Sequence, residues 1–152
     1  MLAPPFLPEI TFWVKSPDRA TVTKLENQVR ASPPKQHKPN HVVIPSMLLN
    51  QPVYEGQDTY AELNKGIWRW PDGSTPDKGG NTILIGHRFT YTTPQGVFYL
   101  LDKVKIGDEI AVVWNDKNYV YKVSNVQEVL PTQTNILDQT PTPTLTLYTC
   151  TP

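Results

Sequence analysis

The chain carries one cysteine, Cys150, and three histidines, His37, His41 and His87. A cysteine does nucleophilic chemistry as its thiolate, so it needs a base or a cationic group beside it. Cys150 stands at the end of Thr144-Leu145-Thr146-Leu147-Tyr148-Thr149. That run alternates threonine or tyrosine with leucine and reads as a strand. Pro152, just beyond, cannot donate to a ladder. A thiol at a strand end can face a cleft, whereas one in mid-strand usually packs. His87 ends a second apolar run, Asn81-Thr82-Ile83-Leu84-Ile85-Gly86. Two strands, each delivering one reactive group at its end, is the arrangement expected of a Cys/His pair distant in sequence and close in space. A free cysteine more often serves as a small buried hydrophobe; the matching strand ends favour the nucleophile.

Three segments, in chain order, resemble signatures of the sortases, the cysteine transpeptidases of bacterial surfaces. The first is Asn81-Thr82-Ile83-Leu84-Ile85-Gly86-His87-Arg88. The second is Gly96-Val97-Phe98-Tyr99-Leu100-Leu101-Asp102-Lys103-Val104 with Gly107-Asp108-Glu109-Ile110. The third is Leu145-Thr146-Leu147-Tyr148-Thr149-Cys150. The resemblance covers about residues 40–152. It implies a mainly β fold: a closed or nearly closed mixed β-barrel with short helices. It implies Cys150 as nucleophile, His87 as its proton-exchange partner, and Thr149 as a contributor to holding the oxyanion or substrate. The implied substrate is the C-terminal sorting signal of a secreted surface protein, of the Leu-Pro-X-Thr-Gly type, cut after its threonine. The implied acceptor is an amine of the cell wall or of a pilin lysine. The implied place is the extracytoplasmic face of the bacterial membrane, with anchoring through a segment outside this chain. No cofactor or metal is implied.

One departure from the family pattern stands out. Sortases carry a catalytic arginine on a further strand after the cysteine, and this sequence stops two residues past Cys150. The expectation is a barrel truncated after the cysteine strand, with residues 1–40 as a stalk or linker and 41–152 as the catalytic barrel. Its last strand then presents an unpaired edge, and its activity falls. A second function class follows: a non-catalytic, sortase-like binding or structural module. Arg88 follows His87 directly and, in a strand, points to the opposite face. Arg69 does not match the family's position. Both read as solvated surface charges.

The composition bounds these readings. A length of 152 residues fits one domain. Lysine plus arginine equals aspartate plus glutamate at 14 each, which gives no sign of nucleic-acid binding. One cysteine excludes an internal disulfide. Sixteen prolines and eight glycines predict short elements and many turns. No run of 18 apolar residues exists to span a membrane. The start Met1-Leu2-Ala3-Pro4-Pro5-Phe6-Leu7-Pro8 is too proline-rich for a signal peptide's apolar core; as the outer end of a membrane anchor it fits the resemblance.

The elements that must position the pair follow from pattern. A short strand or stalk is expected at residues 8–14, two helical turns at 23–30, and an extended proline-rich linker at 32–40. Strands are expected at 41–45, 52–56, 67–71, 81–87, 109–114, 117–129 and 144–149. Asp58 is placed to cap a short helix over 59–64, with Gly66 beyond its end. Trp68 and Trp70 share one face of an extended segment and read as half-buried core rather than a ligand platform. Asn115-Asp116 is a two-residue hairpin turn. Residues 97–101 read as strand by periodicity, while the resemblance favours one or two helical turns. His37 and His41 have i, i+4 spacing, but Pro39 between them breaks the helix a metal grip would need; they read as exposed. Glu55, Asp58, Asp72 and Asp77 fit no calcium loop and read as turn and cap chemistry.

Overall fold

The computed structural model describes residues 19–31, 39–90 and 95–150. The helix expected at 23–30 is present and longer, as α1 (Arg19–Ala31), and lies against the tight turn Pro45–Met47. The strand expected at 8–14 and most of the linker fall outside the described residues.

Seven strands follow: β1 (His41–Ile44), β2 (Leu49–Tyr54), β3 (Ile67–Arg69), β4 (Asn81–Ile85), β5 (Glu109–Trp114), β6 (Lys117–Lys122) and β7 (Thr144–Tyr148). They join in the order β6-β5-β1-β2-β3-β4-β7. The β2–β3 and β4–β7 pairs are parallel and the rest antiparallel. The result is the expected mixed, nearly closed barrel, with β6 and β7 as the two outer strands of the sheet.

The core lies inside the barrel. Val42, Ile44, Leu49, Val53, Ile67, Leu84, Ile110, Val112 and Trp114 fill it from the strands, and Phe98 and Val104 enter from the segment after β4. Leu145 and Leu147 of β7 and Tyr119 and Tyr121 of β6 pack on it from the two outer strands. Burial, and then neighbouring Tyr119, hold the Tyr121 phenol above its usual range, opposed by the Thr82 hydroxyl. β4 is buried on both faces along most of its length. That matches the near-continuous apolar run of a strand covered on both sides.

Local signals set the connections. Asp58 accepts a hydrogen bond from the Ala61 amide at 3.0 Å and caps α2 (Thr59–Lys65), and Gly66 follows as its C-cap. Asn115 and Asp116 both have positive φ, 48° and 65°, so the β5–β6 turn has the backbone twist that suits a two-residue hairpin. Two expectations need correction. β6 ends at Lys122, not 129, because its partner β5 begins only at Glu109; the pairing ends where Val123 bonds Gly107 and Asp108. Residues 97–101 do not form the strand that periodicity predicts; as the resemblance favours, they turn helically, in 3₁₀ fashion, into the short 3₁₀ helix Leu101–Lys103. They make successive i→i+3 turns, with amide bonds from Tyr99 to Gly96, Leu101 to Phe98 and Val104 to Leu101.

The Asp58 cap generates a direct test. Asp58→Ala is expected to lower stability by about 1 kcal/mol, and Asp58→Asn by much less, in matched denaturant melts. Equal midpoints for Asp58→Ala and the parent would show that the cap is dispensable.

Candidate active site

Both candidate residues, His87 and Cys150, take their positions from one strand pair. β4 and β7 run parallel in an unbroken register: Asn81 opposite Thr144, Ile83 opposite Thr146, Ile85 opposite Tyr148. Leu84, Leu145 and Leu147 face the core. By alternation, Ile83 and Ile85 and their partners Thr146 and Tyr148 face outward. The outward side is fixed by a hydrogen bond, Thr146 Oγ1 donating to Asn81 Oδ1 at 2.7 Å. Two residues past the Ile85–Tyr148 pair come His87, half-buried, and Cys150, exposed and free. The structure therefore delivers the two to the same end of the same strand pair, each in step with its outward-facing residues.

The ends do not splay where the ladder stops. Gly86 N–H donates to Tyr148 O at 3.2 Å. Thr149 Oγ1 donates to Gly86 O at 2.8 Å. On its other side His87 is strapped by the turn that follows. Phe98 N–H donates to His87 O at 3.0 Å, and Gly96 N–H to Arg88 O at 2.8 Å. The strap fits because two residues lack side chains. A Cβ on Gly86 would lie 2.6 Å from Val97 and 2.7 Å from Phe98, and a Cβ on Gly96 would overlap the His87 carbonyl. Sequence reasoning missed Gly86 and Gly96 as site-forming residues; the available signal was a glycine directly before the histidine and another at the head of the apolar run Val97-Phe98-Tyr99-Leu100-Leu101.

Asn81 was also missed. It is 2% exposed, and its side chain is fully engaged. Nδ2 donates to Ile136 O at 3.1 Å and Asp138 O at 3.0 Å, and Oδ1 accepts from Thr146. Its backbone N–H donates to Gln139 Oε1 at 3.1 Å. Its signal was a polar residue heading an apolar strand.

The two arginines are not solvated charges, which corrects the sequence expectation. The Arg69 side chain is 14% exposed and pairs with Glu55 at 2.7 Å. Its Nη1 donates to Trp70 O and Gly73 O, both at 3.1 Å, and its guanidinium sits over Trp114. It locks the loop leading into β4, which in turn bonds Asn81 through Ser74 N–H. The Arg88 side chain is 15% exposed, pairs with Asp102 at 3.4 Å, and lies over the Phe89 and Tyr99 rings. A long flexible side chain finds such partners only in three dimensions, and nothing in the local sequence announces them.

Trp68 and Trp70 pack as core residues, Trp68 more deeply than the half-burial expected. Trp68 is buried and meets Trp70 edge-to-face at 5.5 Å, its Nε1 donating to Gly56 O. His41 is half-buried rather than exposed, with Nδ1 2.9 Å from Pro39 O; His37 lies outside the described residues. Among the described residues no three His, Cys, Asp or Glu side chains gather as a metal site. Likewise, no described helix is long and apolar enough to cross a membrane.

A mixed β-barrel with a thiol and an imidazole at the end of one parallel pair is the framework of a known class. The Sortase domain family profile matches residues 42–152, and the chain belongs to the sortase family. It is 34% identical to Sortase SrtE1 of Streptomyces coelicolor over 124 residues, 72% of this chain but 34% of that protein. It is 27% identical to Sortase D of Bacillus subtilis over 152 residues, 96% of this chain and 73% of that protein. Among solved structures, a Clostridium perfringens Sortase D5 transpeptidase superposes with a TM-score of 0.66 at 23% identity, covering 89% of each chain. That last likeness bears on the fold.

Two outcomes follow from this geometry. A small thiol reagent is expected to label the folded protein once, at Cys150; a requirement for denaturant would place the thiol in the core instead. Arg69→Gln is expected to lower stability by about 1–3 kcal/mol, because two loop carbonyls lose their donor, while leaving the labelling rate of Cys150 unchanged. A large fall in that rate would tie Arg69 to the reacting end after all.

Proposed function

We propose that this chain is a cysteine transpeptidase that cleaves a C-terminal sorting signal of the Leu-Pro-X-Thr-Gly type and passes it to an amine. The observation that carries the reading is the parallel β4–β7 register, with His87 and Cys150 each two residues past its last pair. Membership of the sortase family supports the reaction class.

In this mechanism the Cys150 thiolate attacks the carbonyl carbon of the signal's threonine. A C–S bond forms and the scissile C–N bond breaks. The His87 imidazolium protonates the departing amine, which carries that proton away and leaves a neutral imidazole beside the thioacyl-enzyme. A second amine attacks the thioester carbonyl, transfers its proton to the imidazole, and releases the thiolate. Water in place of the amine gives slow hydrolysis. The acceptor is a cell-wall amine or a pilin lysine, and the work is done on the extracytoplasmic face of the bacterial membrane. Residues 41–152 make up the catalytic barrel, with residues 1–40 as the segment that connects it outward. Rigid strand ends serve this chemistry because a displacement of about 1 Å in a reacting group costs on the order of 10²-fold in rate.

The test is a Leu-Pro-X-Thr-Gly peptide incubated with excess amine and analysed by mass. The parent is expected to yield the amine adduct at threonine, and a hydroxamate when hydroxylamine replaces the amine. Cys150→Ala and His87→Ala are expected to fall to background. A parent that binds the peptide, labels at Cys150, and forms no adduct would favour a non-catalytic binding module.

A further inference from the structure

Thr149 precedes the nucleophile, and the family resemblance casts it as a donor to the oxyanion. Its geometry argues for a different task. A threonine hydroxyl carries one proton and can donate one hydrogen bond. That bond is already made, to Gly86 O at 2.8 Å, between partly buried groups. Alternation along β7 agrees: Leu145 and Leu147 face the core, and Thr149 continues that inward phase while Cys150 takes the outward one. A donor to an oxyanion at Cys150 would have to break this bond and leave the Gly86 carbonyl without it. Leaving a partly buried carbonyl without its partner carries a desolvation cost that offsets much of what a single oxyanion donor supplies.

What the bond accomplishes follows from where it lies. The main-chain ladder between β4 and β7 makes its last step at Gly86 N–H to Tyr148 O. The Thr149 hydroxyl extends the pairing one residue further, on the carbonyl that immediately precedes His87. Val97 and Phe98 pack so close to Gly86 that a Cβ there would lie 2.6 Å and 2.7 Å from them. Phe98 N–H holds the next carbonyl, that of His87. The peptide units of Gly86 and His87 are therefore held from β7 by a hydroxyl and from the following turn by an amide.

We propose that Thr149 is a positioning residue: its hydroxyl, committed to Gly86 O, fixes the spacing of Cys150 from His87 and takes no direct part in holding the oxyanion. The role rests on the Cys150–His87 pairing proposed above. Threonine suits the position because its β-branch narrows χ1, so the hydroxyl is held towards Gly86 at little entropic cost.

The experiment uses Thr149→Val, which keeps the shape and removes the hydroxyl, and Thr149→Ser, which keeps the hydroxyl. Two readouts are taken on the folded chain. The first is amide exchange at Gly86 and Phe98 by NMR, with Val43 and Val112 as controls in the far strands. The second is the rate of Cys150 alkylation by iodoacetamide as a function of pH, with His87→Ala as reference. Thr149→Val is expected to speed exchange at Gly86 about tenfold or more, leave Val43 and Val112 unchanged, and move the alkylation profile towards that of His87→Ala. Thr149→Ser is expected to track the parent in both. Unchanged Gly86 exchange in Thr149→Val would overturn the proposal. So would an unchanged alkylation profile accompanied by loss of peptide acylation, the signature of an oxyanion donor. If His87→Ala alkylates like the parent, the Cys–His pairing falls, and Gly86 exchange alone still decides whether the hydroxyl holds the strand end.

Discussion

Everything at the reacting end depends on the parallel pairing of β4 with β7. Two strands that end in reactive residues can be neighbours in either sense. Antiparallel, they would put His87 and Cys150 at opposite ends of the pair; parallel, they bring both to one end. Parallel neighbours cannot be joined by a tight hairpin and require a long crossover. Here that crossover contains the strap over His87, the β5–β6 hairpin and the loop leading into β7. Much of the chain between the two reactive residues is therefore the connection that parallel pairing demands, used to close the far side of the barrel.

A parallel pair fixes which ends meet but not the register, and a slip of one residue would turn every outward side chain inward. Asn81 settles the register at the start of β4. All three of its side-chain hydrogen bonds go to the segment that enters β7 or to β7 itself: Ile136 O, Asp138 O and Thr146 Oγ1. A slipped β7 would strand a buried amide, at about 1–3 kcal/mol for each unmet group. Slipped registers are disfavoured by that cost, added to the loss of Leu145 and Leu147 from the core. Asn81 thus acts on the reacting residues from the opposite end of their strand. The loop into β4 is held in turn by Arg69, so the order at the start of the strand is built from polar locks in series.

The fold was legible where its cause is local. Apolar alternation marked the strands, Asp58 and Gly66 bracketed α2, and Asn115-Asp116 marked the two-residue β5–β6 hairpin, because each of these acts within a few residues. The strand ends carrying His87 and Cys150 were legible for the same reason. What escaped the sequence depends on partners distant along the chain. Arg69 and Arg88 read as surface charges because Glu55 and Asp102 meet them only in the folded barrel. The length of β6 is set by where β5 begins, not by its own composition. Residues 97–101 have the spacing of a strand, yet they lie against Gly86 and His87, where a tight turn brings the Phe98 amide to the His87 carbonyl just after Gly96 has met that of Arg88. Tertiary context overrode periodicity there.

The two ends of β4 are held by different means, and the contrast follows from what each must do. The start is closed, so it can be fixed by bulky polar groups: a buried asparagine, a guanidinium over an indole, a loop folded back on the strand. On the proposed mechanism the far end must stay open on its outward side to admit a peptide, so side chains cannot be placed there to brace it. The bracing is made instead from backbone and from the absence of side chains. Gly86 and Gly96 allow the strap to approach, main-chain amides hold the His87 and Arg88 carbonyls, and Thr149 reaches Gly86 from the inward face. On the proposed mechanism, strand ends held in this way pre-set Cys150 and His87 before substrate arrives.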